Sequence, residues 1–202
     1  MRTHGWGGAT PASDEEAIER ILDAASAAID ERGAAMRVAD VARTLEISRQ
    51  TVYNYFPGDS LLKAVATRSG LRYLASLADH LRGITDPVDA LVESFAFTLE
   101  WLPSDTPVQL MLANDFGRTS NEVTSDMAKQ FGHGILEGLD VDWKSHGFDD
   151  EGIDDLVEYM LRMLQSFLVD PGRPPRTGAA LRSYVRRWLG PVVTAELERH
   201  RR

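Results

Sequence analysis

The sequence contains no cysteine, which excludes a disulfide framework, a thiol nucleophile and a thiolate metal site. No apolar run approaches the roughly 20 residues that a membrane span requires. No segment alternates polar and apolar residues as a half-buried strand does, and no internal repeat is present. The opening MRTHGWGGATPA lacks the apolar middle of a secretory signal and reads as a disordered tail over residues 1–12. These absences point to a cytoplasmic, all-α chain with no membrane association.

Basic charge is also scarce. The formal net charge is −9, which at first argues against a polyanionic partner, but the charge is unevenly spread. Residues 86–170 hold 18 acidic against 4 basic side chains, whereas residues 173–202 hold 8 basic against 2 acidic. Between Arg37 and Phe56 there are 3 basic and 2 acidic residues. Acidity therefore sits mainly in the middle of the chain. A contact surface nearer the N-terminus would be modestly basic, so phosphate attraction alone would be weak.

What is present is a succession of helix signals, in a 202-residue chain that is 43% hydrophobic and so able to build a real core. Ser13 and Glu16 form a capping box before Ile18, Ile21, Leu22, Ala25, Ala28 and Ile29, and Gly33 stops that helix. Val38, Val41, Ala42 and Leu45 mark a short second helix, and Ser48 caps a third that carries Val52 and Phe56. Pro57-Gly58 interrupts, and a long fourth helix follows from about Asp59 to Leu81. Asp86-Pro87, Thr106-Pro107, Thr119-Ser120-Asn121-Glu122 and Asp149-Asp150-Glu151 open four more. DPGRPPR (170–176) reads as a rigid linker. A last helix carries Leu181, Tyr184, Val185, Trp188 and Leu189, with Pro191 expected to end or kink it.

The stretch SRQTVYNYF (48–56) carries the chemistry. With Val52 and Phe56 turned inward at i and i+4, Arg49, Gln50, Tyr53 and Asn54 share the opposite face. Forked guanidinium donors, amides and phenols are the groups that read base edges and phosphates; on these nine residues alone, a solvated helix face is the simpler reading. The neighbouring spacing overturns it. A small residue (Ala42), a turn residue four positions on (Glu46) and an inward apolar residue ten positions on (Val52) is the spacing of a helix-turn-helix.

Ile18 to Leu62 resembles the DNA-binding domain of the tetracycline-repressor (TetR) family. The matching parts are Ala24-Ala25, Asp40-Val41-Ala42, Ile47-Ser48, Thr51-Val52-Tyr53, Tyr55-Phe56 and Leu61-Leu62. The resemblance implies a helix-turn-helix domain over 13–58 and a ligand-binding and dimerisation domain over 59–202. It implies a homodimeric repressor that holds a palindromic operator in double-stranded DNA and is released by a small molecule. On it, Ser48, Thr51 and Tyr55 hold the DNA backbone and Tyr53 touches phosphate or base. Arg49 and Gln50 read bases, with Asn54 beside them. Arg2 and His4 in the tail lie within reach of a minor groove, though disorder is the simpler reading.

Three residues depart from the family pattern. Arg37 stands where a threonine usually caps the second helix. Glu46 replaces the usual turn glycine, at a cost of ~1–2 kcal/mol if the backbone there is left-handed. Asp59 replaces a phosphate-holding lysine, a contact that Arg37 or Lys63 would partly restore.

In the second half, Phe95, Phe97, Leu99, Trp101, Met111, Phe116, Met127 and Phe131 are collectively able to line an apolar pocket, although each alone is ordinary core. Gln109, Asn114 and Glu100 are its candidate polar anchors. The resemblance places the dimer interface on the last two long helices, with Leu156, Met160, Leu164 and Phe167 on one and Leu181, Tyr184 and Trp188 on the other. No cofactor and no metal is called for. The five histidines form no i,i+4 pair, and a site from His133, His146 and Asp140 or Asp142 is the weakest reading. Asp115-Phe116-Gly117 lacks the companions of a kinase, so an enzyme is the distant alternative. The nearer alternative is a regulator of the same fold that is controlled by a protein partner, or that takes no small ligand.

Overall fold

The computed structural model describes Trp6, residues 10–110 and residues 125–199, except for the side chains of Met127 and residues 197–199. All regular structure among the described residues is helical. In chain order the helices are α1 (Asp14–Arg32), α2 (Val38–Thr44), α3 (Arg49–Tyr55), α4 (Ser60–Leu81), α5 (Pro87–Trp101), α6 (described over 106–110), α7 (Asp126–Glu137), α8 (Asp150–Val169) and α9 (Gly178–Arg199). The expected second capping box at 119–122 lies outside the described residues, as do Arg2 and His4.

Two compact units emerge. The first comprises the described residues up to Leu71 together with 105–110. Its first helix begins as the sequence dictates. The Ser13 Oγ accepts the Glu16 N–H at 3.2 Å, and the Glu16 carboxylate accepts the Ala12 N–H at 2.6 Å. Gly33, at φ 54°, closes the other end by donating its N–H to the Ile29 carbonyl. Ala17, Ile21, Ala25 and Ile29 form the buried stripe and meet Val41, Ala42, Val52, Leu61 and Val65 in one core. Each such side chain contributes roughly 1.5–3 kcal/mol when fully buried.

The boundary expected after Gly58 falls instead at Leu71. Leu61 and Val65 on the first turns of α4 belong to the first core, and Leu110 of α6 packs against it. The Ser69 hydroxyl donates to the Asp105 carboxylate with both residues buried, and Asp105 Oδ1 accepts the Val108 N–H at 2.9 Å to cap α6. A polar pair sealed in this way leaves neither group unsatisfied, so α6 is held to α4. Trp6 corrects the reading of residues 1–12 as a tail, because its indole is buried in the same core.

The second unit comprises Arg72–Ser104 and the described residues from 125 onward. Asp86 caps α5 by accepting the Asp89 N–H at 2.9 Å, and Asp149 caps α8 by accepting the Gly152 N–H at 2.8 Å. Helix α5 packs on α9 and α8, and α7 on α8. Their core contains Tyr73, Leu77, Leu91, Phe95, Leu136, Val157, Leu181, Val185 and Leu189. Pro191 does not end α9, which runs on to Arg199. Pro191 and Arg187 are both exposed, so water can take the carbonyl that the missing N–H leaves free.

Arg182 ties α9 to α5. Its guanidinium makes a two-pronged contact with Glu93, 2.7 Å on each prong, and reaches Glu100 at 2.8 Å. His80 Nε2 of α4 lies 2.8 Å from the same Glu93 carboxylate. The Arg182 hydrogen bonds, followed by those of His80, hold Glu93 down at about 2, from an ordinary 4.5. A depressed carboxylate stabilises the fold above its unfolded value and loses that contribution as pH falls through its folded one. Acid titration of the second unit is therefore expected to show a stability loss between pH 4.5 and about 2. Glu93→Gln is expected to remove that slope and cost on the order of 1–3 kcal/mol at pH 7, as urea unfolding at several pH values would measure.

Candidate functional site

Helices α2 and α3 are joined by a four-residue turn whose geometry follows from three local constraints. Arg37 occupies the α2 cap position without a side-chain cap bond. Asp40, three residues on, substitutes for it: Oδ2 accepts the Arg37 N–H at 3.0 Å. Its Oδ1 accepts from Arg43 at 2.5 Å and lies 3.3 Å from Arg32. The Arg37 backbone hydrogen bond, aided by the two guanidiniums, holds the Asp40 carboxyl below its usual 3.8 although the residue is buried. The departure from a threonine cap is thus compensated by a carboxylate with three partners.

The second constraint is Glu46, the one non-glycine with positive φ among the described residues, at 55°. The left-handed conformation that the family's turn glycine implies is present, with its steric cost of ~1–2 kcal/mol. It lets the Ile47 N–H reach back to the Ala42 carbonyl at 2.9 Å. The third is Ser48, whose Oγ accepts the Thr51 N–H at 3.0 Å and sits 2.8 Å from the Thr51 hydroxyl.

Val52 is fully buried and Phe56 nearly so. Arg49, Gln50, Tyr53 and Asn54 are consequently exposed together, with Tyr53 at 44%. Gln50 donates to Asn54 Oδ1 at 3.1 Å, so the two amides present a coupled donor–acceptor edge. Arg49 has no acidic partner within salt-bridge distance among the described residues. Ser48 and Arg37 are exposed as well. Thr51 is buried against Ser48 and positions the cap. Tyr55 is half-buried, and its hydroxyl donates to Asp14 at 3.0 Å, bracing α3 on α1. Lys63 is exposed but lies 3.0 Å from Asp59, the residue at the expected phosphate position.

In the second unit a cavity of about 60 Å3 opens between α5, α7 and α8. Phe95 and Leu91 line it from α5, Ile135 and Leu136 from α7, and Met160, Leu161 and Leu164 from α8. Gly132 permits the close α7–α8 approach, since a Cβ there would stand 2.6 Å from Val157. Of the expected lining among the described residues, only Phe95 is placed on this cavity. Leu99 and Trp101 pack on the core, and Phe131 is partly exposed and stacks on Tyr73 at 5.8 Å. Gln109 belongs to the first unit. Glu100 is no ligand anchor here, because its carboxylate takes Arg182 and the Gly178 N–H at 3.0 Å. Met111, Asn114, Phe116 and the Met127 side chain lie outside the described residues.

Sequence reading missed the cavity's polar members, Ser94 and Thr98. Their signal was available: two hydroxyls at i and i+4 within the apolar run of α5. Ser94 Oγ donates to the Leu91 carbonyl at 3.0 Å, and Thr98 Oγ1 to the Ser94 carbonyl at 2.6 Å. Thr98 Oγ1 also lies 2.5 Å from the buried Tyr73 hydroxyl. Burial pushes that hydroxyl up to about 12, so it stays protonated.

The expected dimer set divides. Leu181 at 1% exposure and Leu156 at 8% are internal to their own chain and cannot meet a partner as placed. Met160 and Leu164 face the cavity, and Phe167 packs between Phe95 and Tyr184. Among the described side chains of α9, the open large apolar ones are Tyr184, Trp188 at 62% and Val192 at 56%, spaced i, i+4, i+8 on one stripe. Tyr159, Leu168 and Val169 are exposed on α8. Among the described residues no group of three or more His, Asp or Glu is placed to hold a metal; His133 pairs with Asp154 at 2.8 Å. No helix of the described residues is long and apolar enough to cross a membrane.

Residues 21–65 match the sequence model of bacterial regulatory proteins of the tetR family. Among solved structures, the chain is similar to the TetR family repressor AlkX from Dietzia sp. strain DQ12-45-1b. Identity is 19%, the match covers 89% of this chain and 96% of that one, and the TM-score is 0.60. It is also similar to RolR, solved with resorcinol, at 18% identity over 92% of this chain and 88% of that one, with a TM-score of 0.53. No curated protein matches the chain.

The turn yields a stability prediction. Glu46→Gly relieves the left-handed strain at φ 55°, and the added freedom of the unfolded chain offsets part of the gain. A net stabilisation of up to ~1 kcal/mol is expected for the first unit, read from the urea midpoint of its transition. A loss of stability would show that the Glu46 side chain makes a favourable contribution larger than the strain.

Proposed function

We infer that this chain, which carries the DNA-binding domain of the TetR family of bacterial regulators, is a cytoplasmic, homodimeric repressor of transcription. It binds a palindromic operator and is released by a small apolar ligand. The observation that carries the reading is the recognition face: a serine-capped helix with Val52 buried and Arg49, Gln50, Tyr53 and Asn54 open to solvent. Arg49 suits guanine O6/N7 and the Gln50–Asn54 pair suits adenine, each contact supplying ~1–3 kcal/mol of discrimination. Ser48, Tyr53, Arg37 and Lys63 hold phosphates, while Thr51 and Tyr55 position them.

One helix of seven residues reads too few base pairs to be selective. A two-fold dimer, joined through the exposed stripe of α9 and the open residues of α8, places two such helices about one turn apart, ~34–36 Å. The ligand reading rests on the apolar cavity between α5, α7 and α8 and is supported by fold likeness to RolR, which holds resorcinol. Release requires a ligand that prefers one of two arrangements of the dimer. A second reading, control by a protein partner without a small ligand, is favoured by the cavity's size. About 60 Å3 is well below the ~300–1,000 Å3 of ordinary ligand pockets, so the walls must yield for an effector to enter.

Selection of bound sequences from random duplex DNA at about 150 mM salt tests the proposal. A palindrome with half-sites about one turn apart is expected, and no consensus would sink the operator reading. Arg49→Ala is expected to lower the ratio of specific to random affinity about 5- to 100-fold. Asp59→Ala frees Lys63 from its 3.0 Å ion pair. It is expected to strengthen binding to all sequences alike and steepen the salt slope by about 0.9 per half-site, in titrations from 50 to 200 mM salt.

A further inference from the structure

The side chains that line the cavity between α5, α7 and α8 can be sorted by the protons they have to give. Its leucine, isoleucine, valine, phenylalanine and methionine side chains have none. Ser94 and Thr98 carry one hydroxyl proton each, and both protons are engaged by carbonyl oxygens, which can only accept. Ser94 Oγ donates to the Leu91 carbonyl at 3.0 Å and Thr98 Oγ1 to the Ser94 carbonyl at 2.6 Å. With its proton in use, Thr98 Oγ1 must be the acceptor of the Tyr73 hydroxyl. The backbone N–H groups of the lining residues lie inside α5, α7 and α8 and serve the helices' own ladders. The lining therefore offers lone pairs and no donor.

The two hydroxyl oxygens differ in what they have left. Each has two lone pairs. Thr98 Oγ1 has given one to Tyr73, whereas Ser94 Oγ receives no hydrogen bond from any described residue. Ser94 is 3% exposed, so its oxygen meets little besides the protein and whatever stands in the cavity. An occupant that shuts water out must supply the donor itself. A carbonyl, nitrile or ether sets lone pairs against lone pairs, and a charged group finds no ionisable side chain in the lining. We propose that the cavity selects an uncharged, largely apolar molecule carrying an O–H or N–H group, and that Ser94 Oγ is the acceptor that holds it. The inference rests on the effector reading above and names the chemical class of that effector.

Three probes of similar size test it on the full chain, with binding read from amide NMR shifts in α5, α7 and α8. Phenol has an O–H donor, benzonitrile has an acceptor only, and toluene has neither. Phenol is expected to bind the wild type about 5- to 10-fold more tightly than benzonitrile. Ser94→Ala removes the acceptor, and the Leu91 carbonyl it releases keeps its partner in the α5 ladder. The variant is expected to weaken phenol about 5-fold, to bring phenol and benzonitrile close to parity, and to leave toluene unchanged.

Toluene controls for the integrity of the cavity; should Ser94→Ala lose it, the wild-type ratio of phenol to benzonitrile decides alone. Equal binding of phenol and benzonitrile by the wild type overturns the proposal while leaving the cavity a binding site. A preference for phenol that survives Ser94→Ala overturns it as well, because Ser94 is then not the acceptor. Binding of none of the three overturns the effector reading of this cavity, and the ligand class with it.

Discussion

Burial of Val52 sets the recognition surface. On a seven-residue helix each position is rotated about 100° from the last, so sealing one side chain into the α1–α2–α4 core fixes the direction of the other six. A shift of register by one residue would put Thr51 or Tyr53 at the fully buried position that Val52 holds and rotate Arg49 by about 100°. The Ser48 cap and the left-handed turn at Glu46 serve this placement, because together they set where α3 begins relative to Ala42. The chain tolerates strain at Glu46 for a position that glycine would take more easily.

Electrostatics then shapes how such a surface works. The middle of the chain is strongly acidic and the recognition region only slightly basic. A surface of this charge attracts a polyanion less strongly than a strongly basic one does. Lys63 is partly neutralised by Asp59, and the one cation on α3, Arg49, is held by no carboxylate among the described residues.

The second unit couples polar and apolar parts differently. Arg182, Glu93, Glu100 and His80 form a network between α4, α5 and α9 that is partly exposed and acid-sensitive. The hydroxyls of Ser94, Thr98 and Tyr73 form a second chain, buried and uncharged, along the cavity wall. Buried chains of this kind are demanding because no water replaces a lost partner. Helix α4 takes part in both.

The sequence by itself determined the all-helical class, the caps at Ser13, Ser48, Asp86 and Asp149, and the exposed face of α3. These depend on contacts within one or two helical turns, where spacing and side-chain type are sufficient. The positive φ of Glu46 was implied by the resemblance, whose pattern has glycine in that turn. Only the tertiary structure decided that Leu181 and Leu156 belong to their own chain's core, while Trp188 and Val192 stay open on α9. It likewise decided that α6 joins the first unit through Ser69 and Asp105, that Glu100 binds Arg182, and that Thr98 faces both Tyr73 and a cavity. An apolar or hydroxylated side chain at helical spacing has several possible neighbours, and which one it meets is set by packing between helices far apart in sequence.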